Sequence, residues 1–325
     1  MPMLKSSLLA SLVFASATAS FPADAQTPYP TKPVRIIVPS PPGGVSDIAA
    51  RLVGEALAKK WRQQVLVDNR AGGGGSIGLQ AAASAAPDGY TLYATTNSQT
   101  TIDPVVAPAQ GAVASSLVPI ILTSDNPILL VANASFPHND LAGLVAAAKA
   151  KPGSLTYGTA GVASVPHLAA EWVASSAGIR LRHIPFKGGA PAVAAVASGE
   201  VPLASIAYSS AQPFVKAGKV KPIALTSATR IAAAPDWATA AEAGYKDIDI
   251  GVWTGLFAVK GTPAPIVAQI ERDLGQLLAT PELKEKFEAV GARPGGLAGK
   301  DFAELIARET RTVEKIVRDA QIKID

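Results

Sequence analysis

The sequence contains no cysteine among its 325 residues. This absence excludes disulfides, thiolate metal sites, a cysteine nucleophile and a lipid anchor on cysteine. Histidine is also scarce, since His138, His167 and His183 are the only three, and no two of them have the spacing of a metal-ligand pair. We therefore expect no metal, no cofactor and no catalytic residue.

Charged residues are few at 17% and aromatic residues at 6%, whereas apolar residues make up 48% of the chain. The net charge of +4 is modest, and no Lys/Arg cluster interleaved with aromatic residues marks a nucleic-acid surface. We expect no nucleic-acid partner. The apolar content suffices for a large buried core, and abundant Ala, Gly and Pro are typical of α/β proteins with tight turns.

After the first residues, no stretch reaches the roughly 18 uninterrupted apolar residues of a membrane span. The N-terminus itself has a targeting pattern: Lys5 is followed by an apolar region over residues 8–19 and by an Ala23-Asp24-Ala25 cleavage site. This pattern predicts a signal peptide over residues 1–25, cleaved near Ala25, and a soluble protein outside the cytoplasm. A membrane-anchoring helix is the alternative, which the short apolar region disfavours.

A short apolar run over residues 34–38 ends at a turn rich in Pro and Gly, and a helical pattern up to Trp61 follows. The run predicts a buried strand, and Ser46 is a suitable N-cap for the helix. Glycines at 43 and 44 let backbone approach a ligand, and free N–H groups at a helix start can hold an anion. This turn is a candidate carboxylate or phosphate site; the alternative is a plain connection.

Short apolar runs alternate with helical patterns along the remaining chain, which predicts βα architecture. The third predicted strand runs into Thr95-Thr96-Asn97-Ser98, whose hydroxyls and amides either face a ligand or form a solvated loop. A later strand over residues 155–157 leads into a loop from Gly158 to Ser164, with Ser164 as helix N-cap. This is a second helix start suited to an anion, and the turn over residues 186–191 gives a third.

Two segments are predicted to connect two lobes. Strands over residues 120–123 and 128–131 flank a kink at 125–127, and residues 251–259 form a return strand. Lobe 1 would comprise residues 26–124 and 252–325, and lobe 2 residues 125–251. The first lobe is thus discontinuous.

Two catalytic signatures overlap in the glycine loop over residues 69–78. Gly73, Gly75 and Gly78 match G-x-G-x-x-G, but no acidic residue lies about 20 residues beyond to hold a ribose. Residues 74–78 match G-x-S-x-G, although a nucleophile elbow needs a sharp turn between strand and helix. An exported serine hydrolase using Ser76 remains the alternative to a binding protein.

Several motifs together resemble the Bug family, the receptors of tripartite tricarboxylate transporters. They are Tyr29-Pro30-x-Lys32-Pro33-Val34-Arg35, Pro41-Pro42-Gly43-Gly44-x-x-Asp47, Asn69-Arg70-x-Gly72-x-Gly74-Gly75-x-x-Gly78, Ala86-Pro87-Asp88-Gly89-Tyr90-Thr91-Leu92 and Pro185-Phe186-Lys187-Gly188-x-Ala190-Pro191. The resemblance covers nearly the whole mature chain. It implies an α/β fold of the two-lobed periplasmic-binding-protein (Venus flytrap) type. Such a receptor would close on a small carboxylate and deliver it to a membrane permease.

The resemblance also implies ligand-binding positions, because one carboxylate is held by backbone amides and waters at a helix-start loop of each lobe. Together with the polar run after the third strand, the candidate residues are Pro42, Gly43, Gly44, Asp47, Thr95, Asn97, Gly158, Thr159, Ala160, Gly161, Ser164 and His167. We expect a monomer that contacts its permease transiently. A ligand sensor for a membrane kinase would use the same cleft.

The chain departs from the family pattern at two places. Where the family typically has Val-Asp-Leu-x-Phe-Asp, residues 201–206 lack both acids. Around residues 103–118, a sequence rich in Ala, Val and Ser replaces the family's usual segment. Because an ammonium group buried without a partner is costly, we expect a ligand without one. Ile206 is predicted to lie against an aromatic or medium-chain dicarboxylate, with Tyr208 as a candidate hydrogen-bonding residue.

Overall fold

The computed structural model describes residues 29–319, so the predicted signal peptide over residues 1–25 lies outside the described residues. The first half of the described chain comprises β1 (Val34–Val38), α1 (Val45–Trp61), β2 (Val65–Asn69), α2 (Ser76–Ala83), β3 (Thr91–Thr96), α3 (Asp103–Val106), α4 (Pro108–Ala114), β4 (Leu117–Asn133), α5 (Leu141–Ala150), β5 (Thr156–Thr159) and α6 (Val165–Ala177). The second half comprises β6 (Arg182–Pro185), α7 (Gly189–Ser198), β7 (Leu203–Ala207), α8 (Tyr208–Lys216), β8 (Val220–Leu225), β9 (Gly251–Val259), α9 (Ala264–Leu278), α10 (Pro281–Ala289), β10 (Arg293–Pro294) and α11 (Gly299–Asp319).

The long strand β4 connects two groups of strands. In the first group, β1 pairs in parallel with β2 and β3, and β9 lies antiparallel between β3 and the part of β4 from Leu117 to Pro127. In the second group, the part of β4 from Ile128 to Asn133 pairs antiparallel with β7 and β8, while β5 lies parallel between β7 and β6. The chain thus passes from one group to the other inside β4 and returns through β9.

The prediction of two strands flanking a kink at residues 125–127 is wrong, because β4 is continuous through this segment. Asp125, Asn126 and Pro127 stay in register with Trp253, Val252 and Gly251 of β9. The partner strand therefore keeps the segment extended despite the missing N–H of proline. The lobe boundaries themselves remain a prediction.

Separate apolar clusters fill the two strand groups, and a smaller cluster links them. The linking cluster contains Ile128 of β4, Val165 of α6, Val252 of β9, and Val313 and Ile316 of α11. Helix α11 therefore packs across both strand groups. The atypical segment over residues 103–118 forms α3, α4 and the start of β4.

Candidate functional site

A cavity of about 240 Å³ lies between the two strand groups, where four helices begin. Its lining includes Val45 and Ser46 of α1, Val165 and Pro166 of α6, Gly189 of α7, and Ala207 immediately before α8. Polar side chains complete it, namely Ser40, Thr96, Ser98, Gln99, Ser164 and Ser210. We call this space the cleft cavity.

The start of α1 differs from the prediction at its cap. The N-cap is Gly44, in extended conformation, and not Ser46, whose hydroxyl instead bonds the Ser40 hydroxyl at 2.8 Å. Asp47 reaches back along the chain and accepts the N–H of Gly43 at 2.8 Å. Gly43 has a φ of +83°, which favours glycine, so the turn depends on both its backbone freedom and this carboxylate.

Asp47 is held from two further directions and is only 2% exposed. Arg51 donates to it at 3.0 Å and Asn69 at 2.9 Å. Burial alone would raise the pKa of Asp47, but hydrogen bonds from Arg51, Gly43 and Asn69 outweigh it and leave the pKa below its usual value. Asp47 is therefore committed to internal contacts that shape the turn.

The two glycine amides predicted to hold an anion are both engaged within the turn. Gly43 donates to Asp47, and Gly44 donates to the Pro41 carbonyl at 3.2 Å. The first N–H groups of a helix have no acceptor within the helix. The amides available at this end of the cavity are therefore those of Val45 and Ser46, two residues later than expected.

The β5–α6 loop forms the opposite side of the cleft cavity. Ser164 is the N-cap of α6, as predicted: it accepts the His167 N–H at 3.4 Å and donates to the Gly161 carbonyl at 2.7 Å. Ala160 and Ser164 line the cavity. Thr159 is fully buried, and its hydroxyl accepts the Gly161 N–H at 3.2 Å.

Gly158 lies inside β5 and is closed off from the cleft cavity by packing. A Cβ at this position would lie 2.9 Å from the ring of Phe186, so glycine permits the close approach of the β6–α7 connection. The amides of Gly158 and Gly161 are thus parts of the loop's support. The cavity surface of this loop comes from Ala160 and from Ser164.

His167 lies behind the same loop and is 6% exposed. Its Nδ1 accepts the Ala163 N–H at 3.1 Å, and its ring stacks on that of His183 with centroids 3.9 Å apart. Burial and the neighbouring His183 lower the pKa of His167 to about 4. Burial also lowers the pKa of His183 to about 4. Both rings are therefore neutral near pH 7.

The predicted polar run over residues 95–98, at the end of β3, divides between two faces of the chain. Thr95 is buried and donates to Gln99 at 2.5 Å, and Asn97 donates to the Gly251 carbonyl at 2.8 Å. Neither lines the cleft cavity, whereas their neighbours Thr96 and Ser98 do. The predicted run of polar residues therefore reaches the site, but through the alternate positions.

Ile206 and Tyr208 also point away from the cleft cavity. Ile206 is fully buried in the core beneath α7 and α8. The hydroxyl of Tyr208 accepts a hydrogen bond from Gln212 at 3.0 Å, and its ring packs edge-on against Trp237. Ala207 lines the cavity in place of Ile206, because successive residues of an extended strand face opposite sides.

The residues found to line the cleft cavity in the described chain include no Asp, Glu, Lys, Arg or His. The positive field of the site comes from the helix starts, whose N–H groups and dipoles favour anions. The lining residues that sequence reasoning missed include Ser40, Gln99, Gly189, Ser210 and Val252. Gly189 nevertheless lies at the third predicted helix start, so the pattern at residues 186–191 was a usable signal.

A second cavity of about 450 Å³ adjoins the same strands. Val252 of β9 lines the cleft cavity, whereas Gly251 and Trp253 line this one, so the two lie on opposite faces of β9. We call it the hinge-side cavity. Its charged lining residues are Asp125, Asp247, Asp249, Arg293, Arg308 and Glu309.

Within residues 29–319, no helix is long and apolar enough to cross a membrane, and no group of three His, Asp or Glu side chains is arranged to hold a metal ion.

A family model for the tripartite tricarboxylate transporter family receptor matches residues 49–322. BugT of Bordetella pertussis is 32% identical over 315 residues, covering 96% of this chain and 96% of BugT. The structure of R. palustris Rpa4515 with adipate aligns with a TM-score of 0.83 at 30% identity, covering 91% of this chain and 99% of Rpa4515. MatC from Rhodopseudomonas palustris with bound malate aligns with a TM-score of 0.76 at 29% identity, covering 89% of this chain and 100% of MatC.

Proposed function

The chain belongs to the tripartite tricarboxylate transporter receptor family, and we propose that it binds a small organic dicarboxylate in the cleft cavity and delivers it to a membrane permease. We place it in the periplasm, as a monomer, after cleavage of residues 1–25. The fold is that of a periplasmic binding protein. Closure of two lobes around the ligand is the motion such a fold supports.

The convergence of four helix starts on one uncharged cavity carries this proposal. Each start offers at least one N–H group without an intrahelical acceptor; at α6 it is that of Val165, because Pro166 has no N–H and His167 donates to Ser164. Each dipole is worth about 0.3–1 kcal/mol toward an anion. These contributions come from both sides of the cavity, because α1 belongs to one strand group and α6, α7 and α8 to the other. An anion therefore favours the closed arrangement in which all four reach it.

A second carboxylate is accommodated because the helix starts surround the cavity. Ser98 and Ser210 lie on its two sides, and neither hydroxyl makes a hydrogen bond within the described chain. One carboxylate would be held at α1 and α6, the other at α7 and α8. The adipate of Rpa4515 and the malate of MatC are both dicarboxylates, which supports this class.

An amino acid fits the same cavity poorly. Its ammonium group would meet Val45, Ala207 and Val252 instead of a carboxylate. Burying such a cation without a partner costs several kcal/mol, about as much as the whole binding energy of a weak ligand. We therefore propose an aliphatic or aromatic dicarboxylate without an amino group.

Ten of the fourteen predicted site residues divide into two roles in this proposal. Ala160 and Ser164 contact the ligand, together with Val45 and Ser46. Eight other candidates fix the loops that carry these groups, namely Pro42, Gly43, Gly44, Asp47, Gly158, Thr159, Gly161 and His167. The last four, Thr95, Asn97, Ile206 and Tyr208, do not line the cleft cavity and have neither role. Ser76, the nucleophile of the alternative hydrolase, starts α2 and is absent from the residues that line the cleft cavity, so binding without catalysis is the better-supported function.

A ligand screen by thermal unfolding tests the proposal. Adipate, malate, terephthalate and citrate are compared with aspartate and glutamate at equal concentration and pH. A ligand present at 100 times its Kd stabilises the folded state by about 2.7 kcal/mol, which is easily measured. We expect the dicarboxylates that lack an amino group to raise the Tm most. The proposal fails if none of the carboxylates raises it, and its dicarboxylate part fails if an amino acid raises it more.

A further inference from the structure

Two stacked imidazoles lie directly behind the loop that closes the cleft cavity. The rings of His167 and His183 are nearly parallel, with centroids 3.9 Å apart, and Tyr157 packs on His183 with centroids 5.2 Å apart. These residues come from α6, β6 and β5, so the stack joins three elements beneath the loop. None of the three lines the cleft cavity.

Each imidazole stabilises one end of the loop over residues 160–163 through a hydrogen-bonding contact. His183 contacts the Thr159 hydroxyl at 2.6 Å, and that hydroxyl in turn bonds the Gly161 N–H. His167 accepts the Ala163 N–H through Nδ1 at 3.1 Å. The contacts of His183 and His167 thus lie on either side of Ala160, the loop residue that lines the cleft cavity.

The backbone conformation of Ala163 explains why its hydrogen bond to His167 is needed. Its φ is +55°, in the left-handed region that a residue with a Cβ rarely occupies. Glycine would adopt this conformation freely, but alanine needs an external contact to hold it. The hydrogen bond to His167 is such a contact, and it lies immediately before the Ser164 cap.

The contacts of the His167 ring define its tautomer. Because Nδ1 accepts a hydrogen bond, the proton of the neutral ring is on Nε2, which lies 4.0 Å from a carboxylate oxygen of Glu171. Glu171 also accepts a hydrogen bond from the Tyr157 hydroxyl. The titratable groups around the ring are thus Glu171 on its own helix, Tyr157 on β5 and His183 on β6.

We propose that His167 is a positioning residue for ligand recognition: its Nδ1 holds Ala163 in the left-handed conformation and thereby presents Ala160 and Ser164 to the bound carboxylate. This inference deepens the proposed function and rests on it. His167 itself does not touch the ligand. Loss of the acceptor would release the loop without removing any group from the cavity surface.

Three variants at one position separate the acceptor from the bulk of the ring. In His167→Asn, Oδ1 is attached to Cγ where Nδ1 was, so the acceptor is kept. His167→Gln moves the acceptor one bond further along the side chain, and His167→Leu removes it. We expect the affinity for the best dicarboxylate of the screen to fall about tenfold in the Leu and Gln variants, the equivalent of one hydrogen bond. The Asn variant should stay within about threefold of the wild type.

Hydrogen exchange of the Ala163 amide is a readout that needs no ligand. It should accelerate about tenfold in the Gln and Leu variants and stay near the wild-type rate in the Asn variant. If no carboxylate binds the wild type, the proposed function fails, but this exchange pattern still tests the hydrogen bond between Ala163 and His167. If Leu does not fold, the comparison of Gln with Asn replaces it. Equal affinities and equal exchange rates in Gln and Asn would overturn the inference.

Discussion

The cleft cavity and the hinge-side cavity share strand β9 but differ in the charged side chains that line them. The cleft cavity has about 240 Å³ and no ionisable side chain among its lining residues, whereas the hinge-side cavity has about 450 Å³ and is lined by several. Size alone would favour the hinge-side cavity as the ligand site. The arrangement of charge favours the cleft, because only there do helix starts offer N–H groups without competing carboxylates.

In the hinge-side cavity, several charged and polar groups satisfy one another. Arg293 donates to Asp125, and Trp253 donates to Glu309 at 2.7 Å. An anion entering this space would meet four carboxylates for two guanidinium groups. The proposed anion site thus has helix-start N–H groups and no charged side chain among its lining residues, whereas the larger cavity has both acidic and basic side chains.

A negative charge placed in the cleft cavity is expected to have the largest effect on ligand affinity, because it removes the difference in charge between the two cavities. In Ala207→Asp the new carboxylate would stand at the N-cap of α8, a position where Asp is well tolerated. Its repulsion of a carboxylate about 5 Å away is about 3 kcal/mol at an effective dielectric constant of about 20, or about a hundredfold in Kd.

Ala207→Asn is the matched control, since its side chain has the same shape without the charge. Titration calorimetry of both variants with the best dicarboxylate of the screen measures the difference. The same experiment with aspartate shows whether the new carboxylate also admits an ammonium group. If the Asp and Asn variants bind the dicarboxylate equally, the ligand is not bound beside Ala207.

Removal of a single N–H tests the role of the helix start with a smaller expected effect. Proline is favoured at the first position of a helix, and the extended Gly44 before it (φ −71°, ψ 162°) is compatible with a following proline. Val45→Pro therefore deletes one cavity-lining amide and preserves α1. We expect about a tenfold loss of dicarboxylate affinity, as for one charge-assisted hydrogen bond.

Val45→Ala is the control for that substitution, because it shortens the side chain and keeps the amide. Thermal unfolding without ligand checks that both variants are folded. The recognition of the ligand by the α1 amides would be refuted if the Pro and Ala variants had the same Kd.

The parts of this design that depend on local pattern could be predicted from sequence. Residues 34–38 form β1 as expected, and Ser164 caps α6, because strand composition and capping chemistry act over a few neighbouring residues. The cap of α1 could not be predicted in the same way. There Asp47 fixes Gly43 with help from Asn69, which lies 22 residues further along the chain.

The choice between Ile206 and Ala207 shows a second limit. In a strand, a shift of one residue moves a side chain to the opposite face. The sequence of β7 is apolar at nearly every position, so its pattern does not reveal which face meets the cleft. Only the packing of α7 and α8 over Ile206 decides it.

The dependence of stability on pH is the prediction with the smallest expected effect. Buried titratable groups beside the two cavities are expected to change the free energy of unfolding with opposite sign. On the hinge side, burial raises the pKa of Glu309 to about 7, despite hydrogen bonds from Trp253 and Asn97. The folded state then binds more protons than the unfolded state between pH 4.5 and about 7. The Glu309 contribution to the free energy of unfolding should therefore fall as pH rises through this interval.

On the cleft side, the lowered pKa of about 4 for His167 and for His183 has the reverse effect. The unfolded state binds more protons between pH 4 and 6.5, so their contribution to stability should increase as pH rises through that interval. Unfolding in denaturant across pH 4 to 8 for the wild type, Glu309→Gln and His167→Asn separates the two effects. We expect Glu309→Gln to lose the decline toward pH 7 and His167→Asn to lose part of the rise above pH 4. Identical pH profiles for the three proteins would show that neither buried group is linked to folding.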